Sequence, residues 1–151
     1  MLPIATVLHP TDFSAPADPA FEIARALARD YGAKLHLLHV VPDSSLAALE
    51  GAVSYLPEEE LAAKGKLHQL AARVSGVNVE PVVARGHPAE EVVAFAEKSK
   101  VDLIVMGTHG HTGLARLLMG SVAEHVLRHA PCPVLTVRAS FPRAAAEKAG
   151  S

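Results

Sequence analysis

The chain has 151 residues, 50% of them hydrophobic and 20% charged, with a formal net charge of −2. That suffices for one domain with a real core and excludes a disordered or fibrous chain. Near-neutral charge, 4% aromatics and no Trp leave neither a basic footprint nor stacking platforms, which speaks against a nucleic-acid partner. The single cysteine, Cys132, permits no intramolecular disulfide. With no leader-like start in MLPIATVLHPTD and no apolar run approaching ~18 residues, a cytoplasmic protein without a membrane partner is expected.

In chain order, a β-branched run at 4–8 predicts the first strand, and Thr11 or Ser14 is the expected cap of the helix that follows. Ala20, Ile23, Ala24, Leu27 and Tyr31 recur at helical spacing, and a second strand is predicted over 35–41. The stretch PDSSLAALEGAVSYL at 42–56 has no clear period and reads as a surface loop. A helix from about 57 to 74 follows, its first turn carrying Glu58, Glu59 and Glu60, which suit the helix dipole and are otherwise expected in solvent. The third strand, 77–83, contains Pro81, which cannot donate to a ladder, so this strand is predicted at a sheet edge. Pro88 opens the next helix, with Ala89, Val92, Phe95 and Ala96 on one face. A strand at 101–106 then runs into GTHGHTGLARLLMGS. Leu117, Leu118, Val122 and Val126 mark a last helix before the strand VLTV at 134–137, and residues 140–151 read as a frayed tail.

Strands alternating with helices define a single α/β domain over 1–139, three layers deep with a mainly parallel sheet. The runs IATVL and LIVM are apolar throughout, as strands buried on both faces should be.

The chemistry lies in residues 107–121. Glycines at 107, 110, 113 and 120 cost backbone entropy unless something approaches the backbone closely, and a phosphate chain is the natural candidate. The stretch directly follows a strand, where parallel α/β sheets bind ligands. It is not a Walker A loop, having no lysine before Ser121, and it lacks the Gly-x-Gly of the usual dinucleotide fingerprint.

It does match Gly-x2-Gly-x9-Gly-Ser, with Gly107, Gly110, Gly120 and Ser121. With VLHPTDFS, LLHVV, GHPAEEVVAFA and LMGSVAEHVLRHAPCPVLTV, the chain resembles the universal stress protein family, in its nucleotide-binding branch, from residue 4 to 137. The resemblance implies a Rossmann-like sheet of order 3-2-1-4-5, agreeing with the edge position argued for Pro81. It implies that Asp12 bonds the adenine or ribose end, that Val40 reads the adenine edge, and that Pro10, Thr11, Met106 and Gly107 line the ribose side. Gly110, His111, Gly120, Ser121 and Val122 would hold the phosphates. ATP is the implied ligand, with Mg²⁺ or Mn²⁺ carried by the triphosphate, and the last strand would pair with its mate in a homodimer.

Alternatives stay open at several points. Asp12 could be a helix N-cap, and the glycines could be turn or packing residues. His125 and His129, or His109 and His111, supply too few ligands for zinc. His36 and His39 read as core or edge residues and Cys132 as a small buried one. No positioned general base or arginine finger is evident, so a binding module is favoured over a slow ATPase. An AMP- or cyclic-AMP-binding regulator is the remaining alternative.

Overall fold

The computed structural model describes residues 3–43, 55–108 and 119–139. β1 (Thr6–Pro10) passes through a 3-10 turn (Ala15–Ala17) into α1 (Asp18–Tyr31) and β2 (Lys34–Pro42). Then come α2 (Tyr55–Ala72), β3 (Val79–Gly86), α3 (Pro88–Lys98), β4 (Leu103–Gly107), α4 (Ser121–His129) and β5 (Val134–Val137). The strands form one parallel sheet in the order β3-β2-β1-β4-β5. Pro81 therefore lies on an edge strand, opposite Leu37 of β2, where a missing N–H costs least.

Alternation along the strands splits the core in two. Val7, Leu35, Leu37 and Val105 face Phe21, Ala24 and Ala28 of α1 and Leu67 of α2. Leu8, Leu38, Val40, Ile104 and Met106 face Val92, Val93 and Ala96 of α3 and Ala123 and Val126 of α4. The central strands β1 and β4 are each buried over three consecutive residues, which requires helices on both faces. Each fully buried large side chain contributes about 1.5–3 kcal/mol, so this double core is the main source of stability.

Several boundaries differ from expectation, for identifiable reasons. β1 begins two residues late because the Asp102 carboxylate accepts from the N–H groups of Ala5 (2.8 Å) and Thr6 (3.0 Å). Ser14 sits at the N-cap of the 3-10 turn, without a side-chain cap bond, and Thr11 caps no helix. The N-cap of α1 is Ala17, without a side-chain bond, while the Ser14 N–H and hydroxyl both donate to Asp12. β3 runs on to Gly86, and Arg85 near its end pairs with Glu60 at 2.6 Å, so that member of the acidic run is bonded rather than simply solvated. The 42–56 loop lies mostly outside the described residues, as do Leu117, Leu118 and the 140–151 tail.

Candidate functional site

Parallel neighbours run side by side, so β1 and β4 end together, with Leu8 opposite Ile104 two residues before Pro10. The chain leaves β1 towards β2 on one side and β4 towards β5 on the other. This reversal opens a crevice at the carboxyl ends of the strands. A cleft of about 400 Å³ occupies it. Pro10 at the end of β1, Thr11 and Asp12 just after it, Val40 from β2, Met106 and Gly107 from β4, and Gly120, Ser121 and Val122 at the head of α4 all line this one cleft. Gly110 and His111 lie outside the described residues.

The two ends of the glycine stretch meet here. The Thr108 N–H donates to Val137 (3.1 Å), and the Thr108 carbonyl accepts from the Gly120 N–H at 2.7 Å. This bridge sets the start of α4 against the end of β4. Gly120 is the N-cap with φ −65° and ψ 165°, a backbone any residue adopts, so glycine is not needed there for conformation. It adds no bulk and no side-chain cap, and the first turn of α4 presents N–H groups and the positive end of its dipole to the cleft.

The opposite wall is the tight β1–α1 connection. Thr11 N–H donates to Leu38, and His39 Nδ1–H donates to the Thr11 carbonyl at 2.8 Å. Thr11 Oγ1 accepts from the Phe13 N–H, and Phe13 itself is left-handed at φ 65°. A non-glycine residue held there stores about 1–3 kcal/mol of strain, which these bonds and the His39 ring, 4.5 Å from the Phe13 ring, must offset. The turn re-aims Asp12 into the cleft, where its Oδ1 accepts both donors of Ser14. The N-cap alternative for Asp12 is thus half right, since the carboxylate satisfies a local N–H but not one of the α1 helix.

The cleft has two chemical halves. Leu38, Val40, Pro42, Pro88 and Val92 make an apolar wall, and Thr11, Asp12, Thr108 and Ser121 supply polar groups. Ala17, Leu38, His39, Pro42, Pro88, Val92, Thr108 and Ala123 were not anticipated from the sequence. The segments LLHVV and GHPAEE carried some signal, but only the crossover from β3 to α3 brings Pro88 and Val92 opposite Val40.

Beneath the site, His9 is fully buried. Its Nδ1–H donates to the Val105 carbonyl at 2.9 Å, and Nε2 has no hydrogen-bond partner among the described residues. Burial lowers its pKa to about 4 against weaker support from the Val105 bond and from Asp12, so the ring is neutral. Burial also lowers the His36 pKa, and that ring packs edge-on against Phe95. Cys132 is half-buried against the second core, and burial, helped by Asp102, pushes its thiol up, away from nucleophilic character. His125 and His129 stack at 4.3 Å on α4. Among the described residues no three His, Cys, Asp or Glu side chains gather around a metal position, and no helix is long and apolar enough to cross a membrane.

A parallel α/β domain with a crevice between β1 and β4 places an open cleft where sheets of this kind commonly hold ligands. The chain matches the Universal stress protein family over residues 3–138 and belongs to that family. Universal stress protein MJ0531 of Methanocaldococcus jannaschii is 41% identical over 138 residues, covering 87% of this chain and 81% of the relative. The solved structure of MJ0577 from the same organism superposes with a TM-score of 0.81 at 33% identity, covering 90% and 96% of the two chains. A universal stress protein solved in complex with cAMP superposes with a TM-score of 0.68 at 25% identity, covering 92% of this chain and all of that one.

Proposed function

We propose that the protein is an adenine-nucleotide-binding module whose ligand is ATP, held in the cleft between β1 and β4. The observation that carries this reading is the convergence of Asp12, Val40, Gly107, Gly120 and Ser121, distant in sequence, on one cleft with an apolar end and a helix N-terminus at the other. The apolar wall suits a base, with Val40 packing on it. Asp12 is an acceptor for ribose or adenine hydrogens. The Ser121 hydroxyl and the first N–H groups of α4 suit phosphate oxygens. Among the described residues the cleft offers one carboxylate, Asp12, so Mg²⁺ or Mn²⁺ would ride on the phosphates. Hydrolysis, if present, is slow, because no described residue offers a base positioned on a water or a cation placed on a leaving group.

The short apolar strand β5 ends the sheet with Leu135 40% exposed, and pairing with a second copy would cover that edge. A homodimer is part of the proposal. The test of the ligand is calorimetric titration with ATP–Mg²⁺, AMP and cAMP in parallel. ATP should bind and raise the melting temperature by mass action. The cAMP complex of the related structure gives the second reading its standing: tighter binding of cAMP than ATP would favour a cyclic-nucleotide regulator. No heat and no thermal shift from any of the three would defeat both.

A further inference from the structure

On the other face of the sheet, the β1–α1 connection is also the wall of a second pocket, of about 340 Å³, at the small end of the ~300–1,000 Å³ typical of small-molecule sites. Thr11 and Ala17 line both this pocket and the cleft. Its apolar surface comes from Phe13, the residue held left-handed at φ 65°, and from Leu70 and Ala17, over the fully buried Phe21. Lys66 and Gln69 of α2, and Arg73 just past its end, lie along its rim. The Lys66 ammonium sits 5.4 Å from the Phe13 ring centroid and forms no ion pair among the described residues. The Arg73 guanidinium sits 4.9 Å from the Phe21 ring and is already paired with Glu22 at 3.0 Å. Asp18 also lines the pocket.

This arrangement selects its ligand. The Phe13 ring with Leu70 and Ala17 favours a small planar apolar body, and one unpaired ammonium with a neighbouring amide donor favours a single negative charge. Asp18 in the lining opposes a dianion, which argues against a phosphate monoester. We infer that this pocket is a second binding site, for a small aromatic monocarboxylate, and that its occupant acts on the nucleotide cleft through Phe13. The coupling half of this inference rests on the nucleotide reading above. A ligand packed against Phe13, beside the His39 ring already on it, favours the left-handed turn, and that turn holds Thr11 and Asp12 in their cleft positions. The coupling is therefore positive, and affinity changes of about fivefold or more are usual for such linkage.

The probe is 4-fluorobenzoate, titrated into the full chain and followed by fluorine and amide NMR. Saturable binding at millimolar probe is expected, with amide shifts at Phe13, Lys66 and Gln69. Lys66→Gln should weaken it about tenfold, the loss of one charge-assisted bond, while leaving ATP affinity without probe unchanged. Saturating probe should tighten ATP about fivefold in the parent and not in Lys66→Gln at the same concentration. Absence of saturable binding, or binding indifferent to Lys66, overturns the site. Probe binding with unchanged ATP affinity overturns the coupling. ATP that binds nowhere refutes the nucleotide reading and the coupling with it, while the probe titration still decides the pocket.

Discussion

Replacing Gly120 by Glu and Ser121 by Ala together separates the proposed phosphate site from the scaffold. Gly120 is the N-cap of α4 at φ −65° and ψ 165°, so a side chain there imposes no backbone strain. A carboxylate at a helix N-terminus gains about 0.3–1 kcal/mol from the dipole, and Ser121 is exposed, where substitution usually changes stability by less than about 0.5 kcal/mol. The fold should therefore survive. The ligand loses on two counts. A hydroxyl bonded to a charged phosphate oxygen is worth about 1.5–3 kcal/mol. Like charges ~4 Å apart repel by about 1 kcal/mol in water and about 4 at a protein surface. With the protein-surface value the sum exceeds the ~2.7 kcal/mol of a hundredfold loss, so titration calorimetry should show ATP affinity falling at least about that far, with the thermal transition of the free protein unchanged. Parental affinity would mean that the phosphates do not lie at the head of α4. Loss of the folded state would mean that the pair packs rather than binds.

Acid should destabilise the protein through His9. Its pKa is about 4 folded and near 6.5 unfolded, so the unfolded chain binds the proton more readily. Stability falls as pH drops from about 6.5 to 4 and then levels, by roughly 3 kcal/mol in all. Urea midpoints across that range should show this slope, His36 adding to it in the same direction. His9→Leu should lose most of it, and an undiminished slope would be contrary. Two glycines predict opposite signs. Gly86 sits at φ 141° with a would-be Cβ 2.7 Å from Glu91 Oε1, so Gly86→Ala should cost about 1–3 kcal/mol. Gly65 lies inside α2 with nothing within 4 Å of its would-be Cβ, so Gly65→Ala should stabilise by up to about 1 kcal/mol; denaturant midpoints decide both. Light scattering at micromolar protein should return a dimer mass, and a monomer mass would contradict pairing through β5.

Much of the fold was legible because it rests on local chemistry. Pro81 declared its edge, the apolar runs of β1 and β4 declared burial on both faces, and Val134–Val137 falls where its β-branched run predicts. The errors arise where a distant side chain intervenes. Asp102 takes the N–H groups that would have started β1 earlier, Asp12 takes the donors of Ser14, and Arg85 draws Glu60 out of its acidic run. The cleft divides the same way. The glycine stretch announces itself by composition, whereas Pro88, Val92 and His39 join the site through the topology, which no periodicity encodes. Resemblance to a family supplied the strand order beyond what Pro81 alone could.

Amide NMR of the full chain titrated with ATP–Mg²⁺ tests nucleotide binding most directly, because it reports occupancy and location together. ATP in the cleft predicts saturable shifts concentrated at Thr11, Asp12, Val40, Gly107, Ser121 and Val122, at the ends of β1, β2 and β4 and the head of α4. Shifts confined to the Phe13–Lys66 side of the sheet, or none at millimolar ATP, would contradict it.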